Sequence, residues 1–287
     1  MTVKSNEHIP FLIGTYNILN PFHAVKWNTI EGLNKAGKDN WEEGRREAIL
    51  QNITTAQLSI CALQEISERT HPELVVTTSS GQQMKCTKLW KHFTEEPEGA
   101  HGVTVLYDSE RFSVVSDIGI KTTQEQYRYG TQVDLKDHLS GYTYRVISVH
   151  LKGYDPYETD LSKKEESQIR GDQELREYVA AFSQNLDGID GIFVLGDFNE
   201  DTEEFIRRGP ESRQGYLMEH GFKWTGVAHP TEVRSGRQID WIFYRDLHED
   251  IYKIKEIGIQ QDLSASDHSL TVVKHVCSLN ALAQVII

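Results

Sequence analysis

Cysteine is scarce. Cys61, Cys86 and Cys277 form an odd set without zinc-type spacing, which excludes a disulfide framework and points to reduced thiols in a cytoplasmic setting. Long hydrophobic runs are missing as well. No window approaches the ~18 apolar residues of a membrane span. The N-terminal stretch MTVKSNEHIPFLIGTYNIL, broken by Gly14, Tyr16 and Asn17, has no signal-peptide h-region or cleavage site. No membrane association is expected. Positive charge is in deficit: 30 Lys and Arg against 43 Asp and Glu give a formal net charge of −13, so the average surface repels polyanions. A phosphate ligand would have to be recruited locally. There is no internal repeat, low-complexity tract or Pro/Gly/Ser-rich linker, and the seven prolines are scattered, so one domain over residues 1–287 is expected.

What the chain does have is a series of short apolar segments: FLIGTYNIL, SICALQE, GVTVLYD, TQVDL, YRVISVHL, GIFVLGD, QIDWIFYR and SLTVVKHV. Their length and their β-branched and aromatic content predict strands. Two stretches between them have helical spacing. WEEGRREAILQNITTAQ repeats Ile49, Ile53 and Ala56, and KKEESQIRGDQELREYVAAFSQNL places Ile169, Leu175, Tyr178, Val179 and Phe182 on one face. Unalternating runs such as IFVL predict strands covered on both sides, so the fold class is α/β with helices outside packed sheets.

Several of these strands begin or end at a residue able to bind a hard cation. Asn17 lies in TYN and Glu65 ends SICALQE; His150 ends YRVISVH; Asp197 and Asn199 follow GIFVLG; Asp240 opens DWIFYR; Asp267 and His268 precede SLTVV. Burying so many carboxylates without a counter-ion would be unfavourable. A divalent cation with oxygen ligands is the natural partner, and Mg²⁺ suits a site with few dedicated ligands because it keeps waters and takes substrate phosphate. Taken singly, LQE is an ordinary strand end, DFN an ordinary Asx turn and SDH an ordinary cap. Their order and company change that reading.

The ordered set TYNIL, ALQE, VHL, GDFN, QIDWIF and SDHSL resembles the endonuclease/exonuclease/phosphatase superfamily over about residues 11–276. TYNILNP, WEEGRREAIL and LQE look most like its deadenylase, nocturnin and 2′-phosphodiesterase branch. The resemblance implies a deoxyribonuclease I-like two-sheet sandwich of mostly antiparallel mixed strands, with helices on the outer faces and the site at one edge. It implies Asn17, Glu65 and Asp267 at the metal, with Glu65 the direct Mg²⁺ ligand and Mn²⁺ an acceptable substitute. Asp197 would align or deprotonate the attacking water, Asn199 and His150 would hold phosphate oxygens, and Asp240 would orient His268. Such residues suit phosphate-ester hydrolysis, which needs a positioned water and neutralised phosphoryl oxygens.

Arg128, Lys152 and His101 are further substrate-binding candidates, each with an ordinary surface or core alternative. Trp27, Tyr127, Tyr129 and Tyr154 are candidates for stacking on a base, and Cys61 is read as a small core residue. The expected protein is a monomeric Mg²⁺-dependent hydrolase acting on RNA ends, short single-stranded RNA or nucleotides rather than long duplex DNA. An inositol-phosphate or phospholipid phosphatase or phosphodiesterase is the alternative among enzymes, and a catalytically silent nucleotide- or protein-binding module the alternative outside them.

Overall fold

The computed structural model describes residues 10–20, 44–71, 74, 76–77, 81, 83–93, 101–123, 127–154, 159–225, 230–232, 235–247, 252–260 and 266–277, with the backbone alone at 252–260 and 276–277. Trp27, a stacking candidate, lies outside these residues.

The described strands form two sheets. In the eight-stranded sheet, β1 (Phe11–Asn17) is central. It runs parallel to β2 (Ile60–Ile66) and antiparallel to the last strand, β14 (Leu270–Cys277). Beyond β2 lie β6 (Gly102–Asp108) and the short strands β3 (Val76–Thr77), β4 (Gln83–Cys86) and β5 (Trp90–Lys91); β13 (Tyr252–Gln260) closes the other side. The six-stranded sheet has the order β11 (Lys223–Trp224), β12 (Asp240–Asp246), β10 (Gly191–Asp197), β9 (Thr143–His150), β8 (Tyr129–Asp137), β7 (Phe112–Lys121). Among the described strands, only β1–β2 and β9–β10 are parallel pairs. This is the two-sheet α/β sandwich expected from the resemblance.

Side-chain alternation explains the layering. In β10, Phe193 and Leu195 enter the core between the sheets with Ile13, Ala62, Val105 and Val146, while Ile192 and Val194 face outward. The outward face is covered by α2 (Leu161–Phe182) through Leu175, Tyr178, Val179 and Phe182. The run IFVL is therefore apolar throughout because both of its faces are buried. On the other sheet, α1 (Arg45–Thr55) presses Ile49 and Ile53 onto Tyr16, Cys61 and Leu63. Cys61 is thus a core residue, and burial pushes its thiol pKa up.

One expectation for α2 is corrected. Ile169 is 59% exposed rather than packed. It lies six positions before Leu175, about 120° round a helix that turns 100° per residue, and so falls off the apolar face. Six strands lack the apolar signature and were not expected: β3, β4, β5, β7, β11 and β13. In β7, Val115 and Ile118 point to solvent.

Candidate active site

Both sheets bring their polar strand ends to one edge. In the six-stranded sheet the hydrogen-bond register pairs Asp197 with His150 on one side and with Asp240 on the other. The parallel strands β9 and β10 end where the antiparallel β12 begins, so three functional residues lie in one row. Gly196 makes this possible. Its φ is +147°, and a Cβ there would lie 1.9 Å from the Val149 carbonyl oxygen, so only glycine allows β9 and β10 this close an approach.

Glu65 arrives from the other sheet by a different device. Along β2, Cys61 and Leu63 face the outer core, and regular alternation would send Glu65 after them. The register instead slips between Gln64 and Ile66, and Glu65 takes φ +59°. This bulge re-aims the carboxylate towards the edge, where its Oε2 accepts from Asn20 N at 2.9 Å and its Oε1 from Asn17 Nδ2 at 3.2 Å. Because the Leu19 peptide N–H donates to Asn17 Oδ1 at 3.0 Å, the amide nitrogen of Asn17 must be the atom that faces the carboxylates.

Asp197 Oδ2 is the centre of the arrangement. Asn17 Nδ2 lies 3.2 Å from it, His150 Nε2 3.6 Å and His268 Nε2 3.9 Å. Its other oxygen accepts from Asn199 N at 2.8 Å, with Asn199 at φ +51°. The DFN segment is therefore an Asx turn and part of the cluster at once. Asn199 Nδ2 is tied to the Leu151 carbonyl at 3.0 Å, and a Cβ on Gly153 would strike its side chain. His268 donates from Nδ1 to Asp240 Oδ2 at 2.8 Å. Asp267, beside it, has an edge open to solvent, yet its Oδ1 is buried without a hydrogen-bond partner among the described residues.

The two histidines are held in opposite charge states. Burial lowers the His150 pKa well below its ordinary value, and the Arg128 charge adds to this. Burial would lower His268 too, but the Asp240 carboxylate and its hydrogen bond, with Asp197 and Asp267 behind them, hold it well above the ordinary value. Burial and the neighbouring Asp240 push Asp197 up to about 7, against the pull of His268. Asp267 is pushed up to about 6, chiefly by burial. At neutral pH the edge thus presents a neutral imidazole, an imidazolium and carboxylates that resist ionisation.

The remaining candidates form a flank. Arg128 donates to the His150 carbonyl at 2.8 Å and lies 4.0 Å from the buried Glu174 of α2, which also accepts from Lys152 N at 2.7 Å. The Lys152 pKa is lowered by burial and by the Arg128 and Arg170 charges. The His101 ring lies 5.6 Å from that of His150. Tyr127 and Tyr129 pack edge to face 5.5 Å apart next to Phe93 and Trp90. Tyr154 instead lies by Arg237 and Lys164. His92, whose ring is 5.7 Å from His150, and Glu174 belong to this neighbourhood but sit in no motif that singles them out. Among the described residues, no helix is long and apolar enough to cross a membrane.

The sequence matches the Endonuclease/Exonuclease/phosphatase family over residues 14–268, a span that runs from the centre of β1 to His268. The chain belongs to this family. It is accordingly a phosphoric ester hydrolase, and the family's chemistry is metal-dependent. Solved structures with the same fold include the human nocturnin catalytic domain with bound sulfate, at 20% identity and TM-score 0.62, covering 95% of this chain and 97% of that one. ANGEL2, described as a 2′,3′-cyclic phosphatase and solved with adenosine-2′,3′-vanadate, is 17% identical with TM-score 0.66 and the same coverage. Zebrafish (D. rerio) TDP2 with a single-stranded DNA product is 12% identical with TM-score 0.61, covering 94% of this chain and 99% of that one. No curated sequence matches significantly.

Proposed function

We propose that this family member is a single-domain Mg²⁺-dependent hydrolase of phosphate esters at RNA ends, in short single-stranded RNA or in nucleotides. The observation that carries the reading is the convergence on Asp197 Oδ2 of Asn17, a neutral His150 and a charged His268, with burial making Asp197 and the nearby Asp267 reluctant to ionise.

The donor set fits a hard cation. Glu65 offers a carboxylate that accepts from Asn17 Nδ2 and Asn20 N, and Asp267 Oδ1 is a buried oxygen without a hydrogen-bond partner among the described residues. These two would hold Mg²⁺. Asn17, whose oxygen is engaged by Leu19 N, acts by orienting Glu65 and Asp197. The cation would supply charge neutralisation at the phosphoryl oxygens.

The rest of the chemistry falls to the chain. Asp197 accepts the proton of the attacking water and fixes its line of approach. His150 donates Nε2–H to a non-bridging oxygen, and the His268 imidazolium, held by Asp240, faces the charge that develops on the phosphoryl group. Arg128 and Lys152 border the phosphate on the α2 side. The Phe93–Tyr127–Tyr129 surface is the nearest aromatic platform for a base.

Removing the Glu65 charge tests the cation site. Glu65→Gln should raise the Mg²⁺ concentration for half-maximal activity by at least ~10-fold. Cation binding should also be proton-linked. The raised values of Asp197 and Asp267 mean that, without a cation, the stability these groups contribute is present below about pH 4 and lost as pH rises through about 6 and 7. A cation that binds the ionised forms restores it, so the Mg²⁺-induced rise in Tm should be larger at pH 7.5 than at pH 5. An increment independent of pH would remove Asp267 from the cation site and would mean that the cation does not favour the ionised form of Asp197 beside it.

A substrate panel tests the function itself: poly(A), 2′,5′-oligoadenylate, cyclic-phosphate-ended RNA, duplex DNA, NADPH and inositol phosphates, each with Mg²⁺ and with EDTA. With a net charge of −13, turnover of a short oligoribonucleotide should show a shallow salt dependence. Preference for long duplex DNA, with a slope equivalent to about six or more neutralised phosphates, would replace this reading with a duplex endonuclease.

A further inference from the structure

Around His150 lies a second buried cluster, of histidines, that the proposed chemistry leaves without a task. His92 follows β5, and its backbone N–H donates to the His101 carbonyl at 2.9 Å, which sets the two side by side at the start of β6. The His92 ring meets that of His101 edge-on at 5.2 Å and that of His150 at 5.7 Å. One ring nitrogen from each of the three residues lies within 4.8 Å of one from each of the others, and all three are buried.

Three clustered histidines suggest a site for a zinc-like cation. The hydrogen bonding of His92 argues otherwise. The Tyr129 peptide N–H donates to His92 Nδ1 at 3.0 Å. A peptide N–H can only donate, so Nδ1 must present a bare lone pair, and the neutral ring must carry its proton on Nε2. A metal-bound imidazole is arranged the other way, with a bare nitrogen on the metal and the opposite N–H on an acceptor. A doubly protonated ring is excluded too, since it would set N–H against N–H. Burial and the Arg128 charge, which lower the His92 pKa well below its ordinary value, agree with the neutral ring.

His92 Nε2–H is therefore a buried donor, and it has no hydrogen-bond acceptor among the described residues. His150 has the complementary need. Its Nε2 faces Asp197 Oδ2 at 3.6 Å and Glu65 Oε1 at 4.0 Å, both acceptors. The proton belongs on that nitrogen, which leaves Nδ1 as a bare, buried lone pair, also without a partner among the described residues. The spacing within the cluster is one that a single bridging water spans, at about 2.8 Å per hydrogen bond.

We propose that His92 is a positioning residue: its Nε2–H donates to His150 Nδ1 across one buried water, and thereby fixes His150 as the Nε2–H tautomer. The Tyr129 peptide N–H then orients His92, His92 orients His150, and His150 presents a donor to the substrate oxygen. The first link is a backbone amide, which cannot act as an acceptor, so the chain of donors has one direction. No proton has to move along it. Only the last link rests on the proposed phosphate chemistry.

The test reads imidazole tautomers in the full-length protein labelled with ¹⁵N-histidine, by long-range ¹H–¹⁵N correlation and without substrate, so it stands even if the substrate panel fails. His92 and His150 should both be Nε2–H in the wild type; Nδ1–H on either would overturn the proposal without any variant being needed. In His92→Asn the short amide still accepts from Tyr129 N but falls short of the Nε2 position. His150 should then become a mixture of tautomers, and on the substrate found by the panel kcat should fall at least ~10-fold with little change in KM. His92→Gln, whose amide reaches the Nε2 position, should recover most of both. A folded His92→Asn protein that keeps either the wild-type His150 tautomer or the wild-type kcat would overturn the assignment.

Discussion

Asp197→Asn should lower kcat by about 10³-fold, within the ~10²–10⁴ range of general acid–base contributions, while leaving the Mg²⁺-free protein no less stable at neutral pH. Both effects follow from the same atom. Oδ2 accepts from Asn17 Nδ2 at 3.2 Å and faces His150 Nε2 and His268 Nε2 at 3.6 and 3.9 Å, so an amide loses both the base and the charge that these N–H groups face. The same substitution removes a buried carboxylate that ionises reluctantly beside Asp240, which offsets the lost hydrogen bonds. The measurements are single-turnover hydrolysis of the preferred substrate at saturating Mg²⁺ and a melting curve in EDTA. Turnover within about tenfold of the wild type would take the role of base away from Asp197.

The Asp240–His268 pair should give the second large effect. His268→Ala removes the imidazolium and should lower kcat by ~10²–10³-fold. Asp240→Asn should approach the same loss. Without its partner 2.8 Å away, burial is opposed only by the weaker attraction of Asp197 and Asp267, and the balance shifts towards the neutral imidazole. The direction with pH is fixed. The charged form exists below the His268 pKa, which Asp240 holds well above the ordinary value, so Asp240→Asn should move the alkaline fall of kcat/KM to lower pH. Because the two residues act as one unit, the double variant should be little worse than either single one. Simple additivity in that cycle would mean that the two side chains act separately.

The parts of the fold legible in the sequence are those where burial on both faces writes continuous apolar runs. β2, β6, β9, β10, β12 and β14 were all marked in this way. The strands that escaped are short, as β3 and β5 are, or half-exposed like β7, whose outward valines and isoleucine break the pattern. At the site, Asp197, Asn199, His150 and Asp240 could be located because each ends or opens a strong strand, and the structure sets three of them in one row. Glu65 could be placed but not aimed, since its direction depends on a bulge created by pairing with β6, a long-range event that local residue patterns do not encode. His92 was illegible for a similar reason. It matters only through the Tyr129 amide and the His150 ring, 37 and 58 positions further along the chain.

The row formed by His150, Asp197 and Asp240 acts as a ruler. Their Cα atoms are spaced by the hydrogen-bonded ladder, at the roughly 4.8 Å between neighbouring strands, and not by the side chains packed beneath them. Gly196 apart, substitution inside β9, β10 or β12 changes what fills the core without altering that interval, and the fold itself persists in chains only 12–20% identical. Insertion is another matter. One extra residue between Ile192 and Asp197 would turn every following side chain to the opposite face, sending the Asp197 carboxylate away from His150 and His268. The sandwich is thus free to drift in composition and locked in register, and new substrate preferences have to be written in the segments that leave its edge rather than in the strands that make it.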